Sequence, residues 1–248
     1  MDEVLKQNKL LEALGRMLGL PQAPRRMESY DISNTGADDI VASMVVYSGT
    51  RPLKSAYRRF RIQSLEGHPD DYASMQEVLR RRLQRAADGD EKFLPLPDVF
   101  LIDGGETHAR AAQTVAWEFG VDVPIFGMVK DDKHRTRGLV SAAGGEIMLA
   151  MHRGVFTFVT SIQDETHRWA NDYRRRMQKS RAYSSTLQSV PGVGPATSRA
   201  LMAHFKTVSA VKEASEEQLA GAKGVSRAAA RAVYAHFHPQ PEQPSAET

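Results

Sequence analysis

The sequence contains no cysteine, and this absence removes two classes of site. Disulfide bonds need two thiols and thiolate-bound metal centres need several, so neither forms in this chain. Any metal ion must instead be held by oxygen atoms or by imidazole nitrogens. The search for a chemical site is therefore directed to Asp, Glu and His side chains.

Long apolar runs are also missing. No segment approaches the roughly 18 consecutive apolar residues that a membrane-spanning helix needs, and the N-terminal residues lack the apolar core of a signal peptide. Hydrophobic residues nevertheless make up 41% of the 248 residues, enough for a sizeable core. We therefore expect a cytoplasmic protein of one large domain or two ordinary ones, without a membrane partner.

The excess of positive charge is small. The chain has 33 Lys and Arg residues against 30 Asp and Glu residues, a net charge of +3, which alone does not indicate a nucleic-acid partner. The basic residues are unevenly spread, however, with dense groups at Arg80–Arg82 and Arg174–Arg176. A phosphate-contacting surface requires such groups, although the solvated face of a helix has the same composition.

One pattern occurs twice near the C-terminus. The first copy starts at Leu187 and contains Gly192 and Gly194, and the second contains Gly224 and Ser226 at the matching positions. Glycine allows a tight turn that leaves backbone N–H groups bare at the start of a helix, where they bind anions such as a phosphodiester. The duplication resembles a tandem helix-hairpin-helix module, which holds the nucleic-acid backbone without reading bases. Either copy alone is better explained as an ordinary helical hairpin capped by glycine, and the duplication is what favours the nucleic-acid module.

Hydrophobic periodicity predicts alternating strands and helices before this repeat. The predicted strands are 26–33, 40–47, 54–62, 99–103 and 124–129, with a hairpin strand near 147–149 in the polar, glycine-rich segment 131–155. The predicted helices are 5–18, 71–85, 107–119 and 156–179, the second capped by Asp70. Short links between the first three strands predict an antiparallel meander, and the later alternation predicts parallel strands added to the same sheet.

This order of elements is that of an RNase H-like fold. We therefore predict an α/β protein, in which an RNase H-like mixed sheet with flanking helices is followed by a small all-α tandem helix-hairpin-helix domain. The predicted organisation is an N-terminal helix and linker at 1–24, the sheet domain at 25–182, the hairpins at 183–238 and a disordered tail at 239–248. The segment 182–185 is expected to link the two domains.

Two acidic residues occupy predicted core strands. Asp31 lies within the first strand, and Asp103 closes the strand that contains Leu101 and Ile102. In an RNase H-like sheet these strands are neighbours, so both carboxylates can enter one cleft, where they repel each other unless a divalent cation lies between them. Ligation by oxygen suits Mg²⁺ or Mn²⁺, which polarises a phosphate and supplies hydroxide. The alternative is that Asp31 caps a turn and Asp103 only precedes a helix.

His167 is the third candidate, in the last predicted helix of the sheet domain. Phe158, Ile162 and Trp169 give that helix an apolar side, which predicts that it packs on the sheet. Imidazole exchanges protons near neutral pH, so His167 is a candidate general base or a residue that orients the attacking water. A single histidine on a helix is more often structural, and the residues alone leave both readings open.

Five short motifs occur in order along the chain. They are Tyr-Asp-Ile-Ser at 30–33, Asp-Asp-Tyr-Ala-Ser-Met at 70–75, Leu-Ile-Asp-Gly-Gly at 101–105, Lys-Asp-Asp at 130–132 and Asp-Glu-Thr-His-Arg at 164–168. Together with the paired hairpins, they resemble the C-terminal half of the UvrC family, the incision subunit of bacterial nucleotide excision repair. The resemblance extends from about residue 18 to residue 237, nearly the whole chain.

The resemblance implies an endonuclease that makes the incision 5′ to a lesion in damaged double-stranded DNA, with Mg²⁺ or Mn²⁺ as cofactor. It places the family's catalytic aspartates at Asp31 and Asp103, which are also the implied metal ligands, and its catalytic histidine at His167. It adds Asp71 as a further acidic residue, and Lys130 as a residue beside the carboxylates that contacts the scissile phosphate. UvrB is the implied partner, with UvrA acting earlier in the pathway.

The chain departs from the family pattern in three places. Asn34 stands where the family often has histidine, so no role is assigned to it. Ser226 replaces the second glycine of the second hairpin; it can still cap its helix, but this copy is expected to hold phosphate less well. The family's N-terminal GIY-YIG nuclease and UvrB-binding segment are not in these 248 residues, so we expect a fragment or truncated relative that does not make the 3′ cut alone.

Two other functions are compatible with the sequence. The first is a non-catalytic DNA-binding module whose sheet only docks a partner, and it is distinguished by whether Asp31, Asp103 and His167 share a cleft. The second is an RNase H-type enzyme that cuts RNA–DNA hybrids, whose sites are usually richer in carboxylates than this set.

Overall fold

The computed structural model describes residues 3–34, 40–63, 70–130 and 136–239. The chain forms two compact units, Met1–Arg174 and Arg175–Thr248, whose boundary lies within one long helix, Arg153–Gln188. The helix continues through the predicted link at 182–185 and ends at Gln188 rather than at the predicted 179. No glycine or proline occurs from residue 155 to residue 190, so nothing in this stretch ends the helix.

One mixed sheet organises the first unit. Its strands in chain order are β1 (Arg26–Asn34), β2 (Ile40–Ser48), β3 (Arg51–Pro52), β4 (Arg58–Arg61), β5 (Val99–Asp103), β6 (Ile125–Lys130), β7 (Thr136–Ser141) and β8 (Glu146–Met148). Across the sheet the order is β3-β2-β1-β5-β6-β7-β8, and β4 also pairs with β2. β5 is parallel to both β1 and β6, and the other pairs are antiparallel. The predicted meander and the parallel strands added to it are both confirmed.

The helices of this unit follow the predicted order. They are α1 (Glu3–Met17), α2 (Asp71–Ala87), α3 (Glu106–Glu118) and α4 (Arg153–Gln188), with 3₁₀ turns at Lys54–Ala56, Glu91–Phe93 and Leu149–Met151. Asp70 caps α2 as predicted, because its side chain accepts hydrogen bonds from the backbone N–H groups of Tyr72 and Ala73. Across the described ranges, no helix is both long enough and apolar enough to cross a membrane.

The third predicted strand, 54–62, is shorter in the structure. A 3₁₀ turn occupies Lys54–Ala56, so that only Arg58–Arg61 forms β4, while β3 adds two residues before the turn. Pro52 in β3 has no N–H group, and the next residue, Leu53, donates to the carbonyl of Val46 in β2. The meander therefore ends in two short strands rather than one long one.

The segment 131–155 contains more strand than its sequence predicts. A strand lies near the predicted place, as β8, but β7 also forms and pairs antiparallel with both β6 and β8. Gly138 weakens the β signal in the middle of β7, yet an added Cβ there would come too close to the carbonyl oxygen of Ile147. Residues 131–135, which include the two aspartates of the Lys-Asp-Asp motif, lie outside the described residues.

Apolar layers cover both faces of the sheet. The layer that includes α1 and α4 contains Leu14, Met27, Leu101, Val159 and Ile162. The layer that includes α2 and α3 contains Tyr30, Met44, Leu79, Phe100 and Ile102. Successive side chains of a strand point to opposite faces, so neighbouring residues of β1 and β5 serve different layers.

One charged pair is buried in the α2–α3 layer. Arg82 makes two hydrogen bonds of 2.8 Å to Glu28, and both side chains are 0% exposed. The hydroxyl of Tyr30 donates a further hydrogen bond of 2.7 Å to Glu28. The expectation that Arg80–Arg82 contact phosphate is therefore wrong for Arg82, because its guanidinium is buried and paired with Glu28. Arg80 pairs with Glu118 at the surface.

The second unit is helical. Beyond the end of α4 it contains α5 (Pro195–Phe205), α6 (Val208–Glu213), α7 (Glu216–Ala220) and α8 (Arg227–Phe237). Both copies of the repeat contribute to one buried core, which includes Leu187, Val193, Leu201, Leu219, Val225 and Val233. The predicted fold class, a mixed sheet with flanking helices followed by a small all-α region, is thus confirmed. The tail from residue 240 onward lies outside the described residues.

Candidate active site

Three side chains meet where α4 crosses the ends of β1 and β5. The Nδ1 atom of His167 lies 3.8 Å from Oδ2 of Asp31, and its Nε2 atom lies 3.6 Å from Oδ2 of Asp103. One potential ligand atom from each of the three residues lies within 4.8 Å of the other two. The residues that the sequence assigns to one site are therefore together in space.

The pairing of β1 with β5 explains why the two carboxylates meet. Tyr30 is opposite Ile102 in this parallel pair, so the residues that follow them, Asp31 and Asp103, lie at the same level of the sheet. Tyr30 and Ile102 are buried in the α2–α3 layer. Side-chain alternation therefore turns both carboxylates to the opposite face, which α4 covers and where it supplies His167.

The chain leaves the sheet sharply after Asp103. Gly104 has a φ of +143°, a conformation that residues with a side chain rarely adopt. A side chain on Gly127 in β6 would overlap the carbonyl oxygen of Gly104. The two glycines allow the strand to end tightly against β6 with the Asp103 carboxylate at its edge.

Neighbouring donors orient the carboxylates. Lys130, at the end of β6, lies 3.0 Å from Oδ1 and 3.1 Å from Oδ2 of Asp103. Gln163 donates from Nε2 to Oδ1 of Asp103 at 2.8 Å, and the hydroxyl of Ser33 donates to Oδ2 of Asp31 at 3.0 Å. Lys130 is thus beside the carboxylates, where the resemblance puts it, and its contact with a phosphate stays a prediction.

Burial and mutual interaction change how the cluster holds protons. Burial raises the pKa of Asp31 above its ordinary value of 3.8; the proximity of His167 opposes this rise, and the negative charge of Asp103 adds to it. The Asp31 carboxylate raises the pKa of His167 above 6.5 against the opposing effect of partial burial, and Asp103 adds to that rise. Without a cation, the cluster therefore favours keeping protons on these groups.

The donor set fits a hard divalent cation. Asp31 and Asp103 offer carboxylate oxygens and His167 offers a nitrogen, all within the reach of one ion. Oxygen-rich sites suit Mg²⁺ and Mn²⁺. The raised pKa of Asp31 supports the fit, because a positive ion between the carboxylates would relieve the same unfavourable charge that the protons relieve.

A cleft of about 920 Å³ opens beside the cluster. Lys130, Gln163 and His167 line it together with the apolar residues Met148, Ala150 and Phe156. The volume is that of a site for a small molecule or for part of a larger one. The reactive groups are therefore accessible from solvent although Asp31 itself is mostly buried.

Asp71 is not part of this cluster. It is the exposed first residue of α2, a helix that packs on the other face of the sheet. Within the described residues, the group of acidic and histidine side chains compact enough for a metal contains Asp31, Asp103 and His167 without Asp71. Its assignment rests on the resemblance alone.

The two hairpins repeat the same backbone. Gly192 and Gly224 have φ values of +85° and +88°, which favour glycine at both positions. Gly194 and Ser226 are the N-cap residues of α5 and α8, and their φ values of −84° and −77° are open to any residue. The replacement of glycine by Ser226 therefore costs no backbone strain.

The hairpins differ in how their amides are satisfied. Ser226 accepts a hydrogen bond from the N–H of Ala229 at 3.2 Å, whereas Gly194 supplies no side-chain cap. Gly192, Gly194, Gly224 and Ser226 are all exposed. Pro195, at the first position of α5, has no N–H group, so the start of α5 offers the amides of the next residues to an anion without a side-chain cap.

Two residues of the site have no assignment from the sequence. Gln163 lies one helical turn before His167, and this spacing places both on the same face of α4. That spacing is a usable signal for Gln163. Thr136, which donates a hydrogen bond to Oε1 of Gln163, follows the segment 131–135 and has no such signal.

A mixed sheet with a carboxylate–histidine cluster, followed by paired hairpins, defines an RNase H-like domain joined to a tandem helix-hairpin-helix domain. Family models give the same division: residues 15–170 match the UvrC RNAse H endonuclease domain, and residues 184–238 match the SAM-like helix-hairpin-helix tandem. The chain belongs to the UvrC family and corresponds to its C-terminal half, as the resemblance predicts.

Curated relatives extend well beyond this chain. The UvrABC system protein C of Ruminiclostridium cellulolyticum is 47% identical over 218 residues, which cover 86% of this chain and 35% of that protein. The protein of the same name from Acetivibrio thermocellus is 45% identical over 230 residues, which cover 87% of this chain and 36% of that protein. The chain therefore spans about a third of the length of these relatives.

Among solved structures, the similarity is weaker. The catalytic domain of human Endonuclease V matches with a TM-score of 0.35 at 16% identity, covering 59% of this chain and 74% of that one. Endonuclease V of Ciona intestinalis, in complex with a 24mer DNA containing an inosine, matches with a TM-score of 0.33 at 19% identity, covering 52% of this chain and 57% of that one.

Proposed function

We propose that this chain is a metal-dependent DNA endonuclease that makes the incision 5′ to a lesion in nucleotide excision repair. The observation that carries the proposal is the convergence of Asp31, Asp103 and His167 within 4.8 Å, beside an open cleft. The match to the UvrC RNAse H endonuclease domain supports the choice of DNA as substrate. The reaction is hydrolysis of one phosphodiester bond.

Asp31 and Asp103 are the residues that would hold Mg²⁺ or Mn²⁺. When bound, such a cation supplies polarisation of the scissile phosphate and neutralises charge that develops on it. Ser33 and Gln163 each donate to one oxygen of these carboxylates, so their orientation is set before a ligand arrives. Each carboxylate can accept about four hydrogen bonds or ligands, so these donors leave room for an ion.

His167 takes the proton of the attacking water or orients that water. Its side chain is 31% exposed, so the imidazole is accessible from the cleft while α4 holds its position. A general base must be neutral, and the positive charge of a nearby cation favours the neutral imidazole. Both ring nitrogens are more than 3.5 Å from the carboxylates, distances at which a water molecule can take part.

Lys130 and Asp71 complete the proposed set. Lys130 supplies a positive charge next to Asp103 that can stabilise the phosphate in the transition state. Asp71 is included from the resemblance, and its exposed position at the start of α2 makes it a candidate for a contact outside the three-residue cluster.

The hairpins are proposed to hold the duplex. The amides at the turns containing Gly192, Gly194, Gly224 and Ser226 would contact phosphates, which positions the protein without selecting a sequence. Damaged double-stranded DNA is the proposed substrate, presented by UvrB after UvrA has acted. These partners are proposed from the family. The chain itself covers only about a third of the length of its curated relatives.

A nicking assay tests the proposal. A duplex with one defined lesion, labelled at one 5′ end, is incubated with the protein in Mg²⁺, in Mn²⁺ or in EDTA, each with and without UvrB. We expect a single nick on the 5′ side of the lesion in the presence of metal and UvrB, and no product in EDTA. The undamaged duplex is the matched control.

The competing function is a non-catalytic module that only docks DNA or a partner. In that case the duplex would be bound under every condition and no nick would form with either metal, even with UvrB present. Cutting in EDTA at the same rate as in Mg²⁺ would also contradict the proposal, because it would remove the metal from the reaction.

A further inference from the structure

Asp103 is held by a side chain outside the three-residue cluster. Gln163 donates from Nε2 to Oδ1 of Asp103 at 2.8 Å, and Gln163 is only 2% exposed. Lys130 also contacts Asp103, but its side chain is 30% exposed and flexible by nature. Gln163 is therefore the buried, fixed donor to this carboxylate.

A second buried residue fixes the direction of the Gln163 amide. The hydroxyl of Thr136, at the start of β7, donates to Oε1 of Gln163, and Thr136 is 6% exposed. The reverse orientation would place the amide oxygen against the carboxylate of Asp103, where two acceptors face each other without a proton between them. The chain Thr136–Gln163–Asp103 thus has one favourable arrangement.

We propose that Gln163, oriented by Thr136, is a positioning residue that sets the Asp103 carboxylate for binding of the divalent cation. This inference rests on the proposed function, in which Asp103 is a metal ligand. Residues that donate to a ligating carboxylate fix its geometry, and their loss typically weakens metal affinity or activity by about 10- to 100-fold.

The placement of Gln163 on α4 links two parts of the site. Gln163 and His167 are one helical turn apart, and both approach Asp103, at Oδ1 and Oδ2 respectively. A shift of α4 against the sheet would consequently move the imidazole and the carboxylate donor together. Thr136 adds a contact from β7, so strands on both sides of β6 contribute to the position of Asp103.

The first test uses the metal-free protein and does not depend on nuclease activity. The side-chain amide protons of Gln163 are observed by NMR in EDTA, where a bond to a carboxylate should shift one of them downfield and slow its exchange with solvent. Asp103→Ala, which removes the acceptor, is expected to abolish the shift. A Gln163 amide that exchanges as fast as an exposed glutamine would overturn the proposed contact.

The second test measures Mn²⁺ affinity by titration followed with electron paramagnetic resonance. Gln163→Met keeps the length of the side chain and removes both the N–H donors and the carbonyl acceptor of the amide. We expect about 10- to 100-fold weaker Mn²⁺ binding. Thr166→Val is the matched control, because Thr166 is also buried on α4 but its hydroxyl bonds to Ser29 and to the carbonyl of Ile162. This control is expected to lose thermal stability without losing Mn²⁺ affinity. Equal affinity losses in both variants would indicate a structural role only.

Thr136 is tested through Gln163. Thr136→Val should weaken Mn²⁺ binding in the wild-type background, and Thr136→Ser should restore it because the hydroxyl returns. In the Gln163→Met background, Thr136→Val should have no further effect if Thr136 acts only by orienting that amide. Additive losses in the double variant would overturn the proposed chain of contacts.

The nicking assay separates failure of this inference from failure of the proposed function. If Asp103→Ala leaves nicking unchanged, the proposed active site is wrong and Gln163 has nothing to position. If Asp103→Ala is inactive while Gln163→Met binds Mn²⁺ and cuts like the wild type, the active site stands and the positioning role is wrong.

Discussion

The guanidinium of Arg82 and the carboxylate of Glu28 form two parallel hydrogen bonds of 2.8 Å from which solvent is excluded. The interaction joins α2 to β1, and Tyr30 donates to the same carboxylate from the residue just before Asp31. A buried charge is tolerated only when it is paired in this way. The pair therefore fixes the strand that carries one of the two site carboxylates, from the face opposite the site.

Removing one partner of this pair should strongly destabilise the sheet unit. Arg82→Met leaves the buried Glu28 with only one counter-charge, its longer contact to Arg26 at 3.4 Å, and removing one partner of a buried ion pair costs about 3 to 5 kcal/mol. Arg80→Ala is the control two positions earlier, because Arg80 pairs with Glu118 at the surface and such pairs contribute about 0 to 1 kcal/mol. Urea unfolding of the two variants measures the difference. Similar midpoints for both would show that Arg82 is not the buried anchor that we describe.

The two aspartates should be required for cutting but not for holding DNA. Asp31→Ala and Asp103→Ala each remove a proposed metal ligand, so we expect no detectable nicking at saturating metal. Binding to the duplex should stay nearly intact, because hairpin amides and basic side chains supply most of the affinity. Nicking and filter binding are measured on the same preparations. Nicking retained in either variant would remove that residue from the site.

His167→Ala should lower turnover while the fold is preserved. General acid–base assistance is typically worth about 10²- to 10⁴-fold in rate, and we expect a loss in this range under single-turnover conditions. His152→Ala is the control, because this exposed histidine lies fifteen positions before His167, just ahead of α4, and its ring accepts a hydrogen bond from the N–H of Val155. A loss well below the range for His167→Ala would favour a purely structural histidine.

The metal-free protein should lose stability as the pH rises through neutrality. The folded state raises the pKa of His167 above 6.5, so the charged imidazolium stabilises the fold fully below that value, and the contribution disappears as the pH passes the folded pKa. The raised pKa of Asp31 acts in the same direction, since its ionised form is the costly one. In EDTA, the midpoint temperature of thermal unfolding should therefore fall more steeply between pH 6 and pH 8.5 for the wild type than for His167→Gln. Parallel curves would contradict this linkage.

Much of the fold follows from local patterns. The strands that became β1, β2 and β5 are marked by apolar runs, and Asp70 marks the start of α2 by its capping position. Asp31 and Asp103 stand out because carboxylates are unusual on such strands, and the parallel register of β1 and β5 then brings them to one level. The apolar runs, the cap and the positions of the two carboxylates depend on neighbouring residues, which a sequence displays directly.

The features that the sequence does not disclose depend on distant partners. Arg82 belongs to a run of arginines and is predicted to face solvent, yet its partner Glu28 lies 54 positions earlier and draws it into the core. Thr136 and Gln163 are likewise paired across 27 positions. Neither pairing is marked by a periodic pattern in the sequence, so both pairings become visible only when α2 and α4 pack on the sheet.

The two hairpins should contribute unequally to DNA binding. An added Cβ at Gly194 meets no atom within 4 Å, and the φ of −84° is open to any residue, so we expect Gly194→Val to fold. It would nevertheless cover the bare amides at the start of α5, and we expect duplex affinity to fall about tenfold, the loss of one hydrogen bond to a charged group. Ser226→Val should weaken binding less, because Ser226 already occupies one amide of α8 through Ala229.

The measurement is fluorescence anisotropy on several unrelated duplexes, at a temperature well below unfolding. The loss in Gly194→Val should be the same on every duplex, because phosphate contacts carry no sequence information. Gly194→Ser reproduces the residue of the second copy and should fall between the wild type and Gly194→Val. An equal or larger loss in Ser226→Val would reverse the order and place the main phosphate contact at α8. Unchanged affinity in both variants would mean that the hairpins serve protein contacts instead.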